Sequence, residues 1–136
     1  MTVHVLYVED EDDVREIVAL ALSLDRNIKL TTAASGEEGI RCAKQQRYDL
    51  VLLDVMMPGM DGPTTLASLR SDAATRDVPV AFITARTQAQ EIQHFRSLGA
   101  VDVIAKPFDP MVLAGRVHSI CLHHPPEKQH DDQRAY

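Results

Sequence analysis

The chain has no tryptophan, and aromatic residues of any kind make up only 4% of its 136 positions. A core of this size must therefore be built mainly from aliphatic side chains. Cysteine is scarce as well. Cys42 and Cys121 fall in apolar-periodic stretches without metal-ligand spacing, so they read as reduced, packed thiols of a cytosolic protein. Basic residues are outnumbered: 14 Lys and Arg against 20 Asp and Glu leave a formal net charge of −6. A chain of that sign does not track a phosphate backbone, which argues against direct nucleic-acid binding. No apolar run reaches membrane-spanning length, so membrane insertion is not expected. The N-terminus, MTVHVLYVED, lacks the basic region and apolar stretch of a cleavable leader. No Gly-rich turn joins a strand to a helix, which excludes the common nucleotide cradle.

What is present is regular. Five short apolar runs occur at Val3–Val8, Ile28–Ala33, Leu50–Leu53, Val78–Thr84 and Val101–Ala105. Leu50–Leu53 and most of the first run do not alternate with polar residues, as suits strands buried on both faces. Helical patterns separate them. Val14, Ile17, Val18, Ala21 and Leu22 repeat at helical spacing behind an acidic start. Ser35 is placed to cap a second helix with Glu38 as its capping-box partner, and Ile40 and Ala43 face inward. Leu66 and Leu69 mark a third helix after Gly62. A fourth is expected from about Thr87 to Ser97 with Ala89, Ile92 and Phe95 inward. A fifth is expected from about Asp109 to Leu122 with Leu113, Val117, Ile120 and Cys121 as its stripe. Strand and helix alternating five times predict an α/β fold, a doubly wound parallel sheet with right-handed crossovers. One domain over residues 1–122 accounts for the pattern, and the polar, Pro-interrupted residues 123–136 are expected to form a loose tail.

Sites on such a sheet form beyond the carboxyl ends of the strands, near the switch in strand order. The first run ends in Glu9 and Asp10, the third in Asp54, the fourth in Thr84 and the fifth in Lys106. Three acids, a hydroxyl and an ammonium thus emerge at one edge. Crowded carboxylates repel, and a hard divalent cation relieves the conflict. Mg²⁺ suits a site of one or two carboxylates, waters and a phosphate oxygen, with Mn²⁺ as a substitute. Beside such an ion Asp54 can act as a nucleophile toward phosphorus, with Lys106 neutralising charge and Thr84 donating a hydrogen bond. Other uses of these residues fit less well. A Ca²⁺ loop starting at Asp10 would need Gly where Arg15 stands. His118, His123, His124 and His130 could bind a metal, but histidines without fixed geometry are usually solvated.

These same stretches carry a family resemblance. VLYVEDEDDVRE, DLVLLDVMMPGMDG, AFITA and LGAVDVIAKPFDP are similar, in that order, to the motifs of receiver domains of bacterial two-component response regulators, including the stand-alone chemotaxis type. The resemblance runs from about Val3 to Leu122. It implies a flavodoxin-like five-stranded sheet of order 2-1-3-4-5 with five flanking helices. It implies Asp54 as phosphoryl acceptor, Thr84 as switch hydroxyl and Lys106 as the supporting lysine. Asp10, Asp54 and the Met56 backbone carbonyl would bind the metal, with Glu9 acting through water. A cis Lys106–Pro107 peptide is also implied.

The implied protein catalyses only its own phosphorylation and dephosphorylation. Its donor would be a histidine kinase or histidine phosphotransfer protein. Its output would be a downstream protein met through the surface of the fourth helix, fifth strand and fifth helix. Arg86, Gln88, Gln90, Gln93, His94 and Arg96 are the exposed candidates there. A monomer or weak dimer is expected. A shuttle or sink in a multistep phosphorelay, or a receiver serving mainly as an interaction module, are the alternatives. An aspartyl-phosphate phosphatase would need a carboxylate where Met56 stands. Val103 departs from the pattern: it occupies the place of an aromatic residue whose ring usually turns with the switch threonine.

Overall fold

The computed structural model describes residues 2–125. Its elements are β1 (Val3–Val8), α1 (Asp12–Ser23), β2 (Ile28–Ala33), α2 (Gly36–Gln45), β3 (Leu50–Asp54), α3 (Gly62–Ser71), β4 (Val80–Thr84), α4 (Ala89–Ser97), β5 (Asp102–Ala105) and α5 (Pro110–His123). The strands form one parallel sheet in the order β2-β1-β3-β4-β5, as expected. Side chains alternate across the strands. Leu6, Val8, Val51, Leu53 and Phe82 therefore pack on one face with Ala43, Leu66, Leu69 and Phe95 from α2, α3 and α4. Val5, Tyr7, Leu50, Leu52 and Ile83 pack on the other with Val18, Leu22, Leu113, Val117 and Ile120 from α1 and α5. Both faces are covered, which is why these strands read as continuous apolar runs.

The local signals mostly act as read. The Ser35 hydroxyl accepts from the Glu38 N–H at 3.1 Å. The Glu38 carboxylate reaches back to the N–H of Ala34, one residue short of the expected partner. Asp61 and Asp109 cap α3 and α5 through Thr64 and Met111. Cys42 and Cys121 are free and half-buried.

Four boundaries move. β3 runs one residue further than expected, to Asp54. β4 starts at Val80, not Val78, because Pro79 brings no N–H to a ladder and Arg70 takes the Val78 carbonyl at 2.7 Å. β5 starts at Asp102, although the Val101 N–H still reaches Val80. α4 starts at Ala89 with no side-chain cap and meets the core only from Ile92 onward, so Ala89, expected inward, is exposed in its first turn. Ile92 is half-buried and Phe95 is fully packed. The expected tail lies outside the described residues from 126 onward, as does His130, while His123 closes α5.

α4 is thus the most thinly anchored helix, with Phe95 as its single buried residue. That ring meets Phe82 edge-on at a centroid distance of 5.2 Å. Few buried contacts mean a low free energy of local opening. Phe95→Ala should cost about 3 kcal/mol. In hydrogen exchange the amides of 89–97 should lose protection first, ahead of the β3 and β4 amides. Uniform loss across the sheet would mean α4 opens only with the whole domain.

Candidate functional site

The strand ends deliver their groups to one place for a geometric reason. Just after β1, Glu9 has the same parity as Val5 and Tyr7; in β3, Asp54 follows Leu50 and Leu52; after β5, Lys106 follows Ile104. All three therefore project to the α1/α5 side of the sheet. Lys106 Nζ lies 2.9 Å from Asp54 Oδ1 and 3.6 Å from Glu9 Oε1. Glu9, Asp10 and Asp54 each offer an oxygen within 4.8 Å of the others. Among the described residues this is the sole group of three or more potential His, Cys, Asp or Glu ligands so placed. His118 is instead paired with Asp25 at 3.0 Å, and His123 with the Ser119 carbonyl.

Burial separates the members. Glu9 is fully buried and Asp54 is 2% exposed, whereas Asp10 and Lys106 keep a solvent-facing edge. Glu9 is not merely an N-terminal helix acid. Its Oε1 accepts from the Tyr7 hydroxyl at 3.3 Å, its Oε2 from the Glu11 N–H at 3.2 Å, and its carbonyl from Arg15 at 2.9 Å. Thr84 stands one step beyond Ile83, the register partner of Asp54. Its oxygen accepts from the Arg86 N–H at 2.9 Å, which leaves its own proton free to be donated elsewhere. Met56 lies two residues past Asp54 with its side chain 67% exposed. The Lys106–Pro107 peptide is cis. Val103 is buried against the α2–α4 side.

Sequence reading missed Tyr7, Arg15 and the tight approach at Gly62. A Cβ at Gly62 would lie 2.6 Å from the Asp54 carbonyl oxygen and 2.8 Å from Val55 Cα. Only glycine lets α3 begin that close to the end of β3. The Tyr7 contact had a signal, since residues two apart on a strand share a face.

The charges are unbalanced. Three carboxylates face one ammonium. Burial pushes the Asp54 carboxyl up to about 6, with the Glu9 charge adding to it and Lys106 opposing it. Burial works to lower the Lys106 ammonium, but the hydrogen bond and charge of Asp54, then the charge of Glu9, outweigh it and leave it raised. The donors are all hard oxygens, and their excess negative charge calls for a small cation.

The chain is similar to known proteins. A family model described as "Response regulator receiver domain" matches residues 5–118. The transcriptional regulatory protein CseB of Streptomyces coelicolor is 37% identical over 117 residues, covering 86% of this chain and 48% of that protein. The response regulator PleD of Caulobacter vibrioides is 38% identical over 122 residues, covering 88% of this chain and 26% of that protein. The chain thus spans about half or less of these curated relatives. The chemotaxis response regulator CheY4 of Vibrio cholerae superposes with a TM-score of 0.80 at 28% identity, covering 88% of this chain and 99% of that one.

The raised Asp54 carboxyl has a consequence for stability. The native state holds this proton more tightly than the unfolded chain does, so stability falls as pH rises through the window from about 4 to 6. Without metal at neutral pH, the ionised Asp54 should cost on the order of 1–3 kcal/mol. Urea unfolding in chelator at pH 7.5 should find Asp54→Asn more stable than wild type by about that amount. The difference should shrink toward pH 4. A less stable Asp54→Asn at neutral pH would contradict this.

Proposed function

This chain belongs to the response regulator receiver family, and we propose that it is a metal-dependent switch that accepts a phosphoryl group on Asp54. The observation that carries the reading is the buried Asp54 carboxylate, held 2.9 Å from Lys106 with Glu9 and Asp10 oxygens within 4.8 Å. Asp10, Asp54 and the Met56 carbonyl would hold Mg²⁺ or Mn²⁺, with Glu9 reaching it through water. When bound, the ion offsets the charge of the carboxylates and of the incoming phosphoryl oxygens.

An Asp54 oxygen attacks the phosphorus of a phosphohistidine donor. The O–P bond forms, the N–P bond breaks, and its electron pair stays on the donor imidazole. Lys106 transfers its ion pair from the free carboxylate to a phosphoryl oxygen. Thr84 donates the proton that its bond to Arg86 leaves unused. Charge at Asp54 then biases a pre-existing equilibrium at the surface of α4, β5 and α5. Two observations favour that surface. α4 hangs on one buried ring. Asp102 in β5 joins both neighbouring helices, through Arg96 at 3.3 Å and Arg116 at 3.2 Å. Val103 supplies no aromatic ring, so the helix and its ion pairs report the change.

The donor is a histidine kinase or phosphotransfer protein and the output a protein partner, with no turnover of outside substrates. Residues 1–122 act as the receiver, as a monomer or weak dimer, in the cytoplasm. Among the described residues, no helix is long and apolar enough to cross a membrane.

Beryllofluoride, a phosphoryl mimic, tests this reading. ¹⁹F NMR should show a bound resonance with Mg²⁺ that disappears in chelator and in Asp54→Asn. A bound signal that survives either change would remove Asp54 from the acceptor role.

A further inference from the structure

Tyr7 is a costly residue for its place. It is fully buried and belongs to the apolar cluster that includes Val5, Val18, Leu52, Ile83 and Ile104. Phenylalanine would fill that space without bringing a hydroxyl that needs a partner. The Tyr7 hydroxyl has a partner in Glu9 Oε1, two residues along the same strand face, at 3.3 Å. The requirement is mutual. Glu9 has no exposure, and its two oxygens are met from three sides: Tyr7 on Oε1, the Glu11 N–H on Oε2, and the Lys106 ammonium 3.6 Å from Oε1.

The hydroxyl and the ammonium thus share one oxygen. Lys106 is the closer partner of Asp54, at 2.9 Å, and the more distant partner of Glu9. If the hydroxyl is removed, Oε1 is left to Lys106 alone. The ammonium then has reason to close on Glu9, which draws it from Asp54 and turns a carboxylate away from the acidic cluster.

We propose that Tyr7 is a positioning residue that holds Glu9 in register with Asp10 and Asp54 for a divalent cation. The inference rests on the proposed metal site, and it adds a buried neutral hydroxyl as the element that sets where Glu9 points. Groups that orient ligands in this way commonly change metal affinity by tenfold or more when removed.

The chain has no tryptophan, so isothermal titration calorimetry with Mg²⁺ is the suitable readout. Tyr7→Phe should bind Mg²⁺ roughly tenfold more weakly than wild type while keeping its circular dichroism. Glu9→Asp withdraws the carboxylate by one methylene, beyond reach of the hydroxyl. In that background Tyr7→Phe should add little, a coupling that marks the pair.

Wild-type affinity in Tyr7→Phe, with only its melting temperature changed, would show a packing residue and overturn the proposal. So would an undiminished loss from Tyr7→Phe in the Glu9→Asp background. If Tyr7→Phe does not fold, Tyr7→Leu removes the same hydroxyl with a smaller side chain: a comparable loss supports the proposal and wild-type affinity overturns it. Asp10→Asn separates the two levels. Wild-type protein that takes no Mg²⁺, or takes it equally well as Asp10→Asn, would overturn the metal site and this inference with it. Normal dependence on Asp10 with no effect of Tyr7 would overturn this inference alone.

Discussion

One half-buried ion pair organises this molecule: Asp54 against Lys106, with Glu9 pressing on both. A carboxylate at 2% exposure is held by one ammonium that it shares with a second buried carboxylate. The charges do not cancel, and the raised Asp54 carboxyl is the physical sign of that imbalance. An uncompensated buried charge is unfavourable, so the fold spends other groups on containing it. The Glu11 N–H and the Tyr7 hydroxyl serve the Glu9 carboxylate and Arg15 its backbone carbonyl, while Lys106 stays closer to Asp54 than to Glu9. What remains unsatisfied is the demand for a cation.

The scaffold makes that arrangement possible. In a parallel sheet every strand points the same way, so four separate stretches of sequence, at the ends of β1, β3, β4 and β5, deliver side chains to a single edge. Strand parity then decides which face each takes. Glu9, Asp54 and Lys106 share the α1/α5 side, and Thr84, of opposite parity to Asp54 in the register, stands apart with its hydroxyl on Arg86. Gly62 allows α3 to start against the Asp54 backbone, which fixes the end of β3. The far side of the site is looser. α4 rests on Phe95, and Asp102 binds it across β5 to α5 through two arginines. A closely paired cluster therefore stands beside a lightly held helix.

Much of this was legible in the chain. The covered faces and the meeting of Glu9, Asp10, Asp54 and Lys106 follow from apolar runs and strand ends, while the sheet order was implied by the family resemblance. The parts that were not legible depend on partners distant in sequence. Nothing local to Val78 says that Arg70 will take its carbonyl and that Pro79 will delay β4. Ala89 keeps the right spacing to face inward, but α4 meets the core only from Ile92 onward, and Ala89 is left exposed. The double pairing of Asp102 needs β5 docked between α4 and α5 before it exists. Tyr7 is the instructive miss. Its spacing from Glu9 was in plain view, yet a tyrosine in an apolar run reads as packing until burial shows that its hydroxyl needs an acceptor.

The most direct measurement is to find where the phosphoryl group goes. Acetyl phosphate and Mg²⁺ should form an aspartyl phosphate, and borohydride should reduce it to homoserine, located by peptide mass spectrometry. The reduced residue should lie at position 54, and chelator should abolish it. Homoserine elsewhere in the chain, or labelling that persists without a divalent cation, would contradict Asp54 as the acceptor and its acidic neighbours as the metal site.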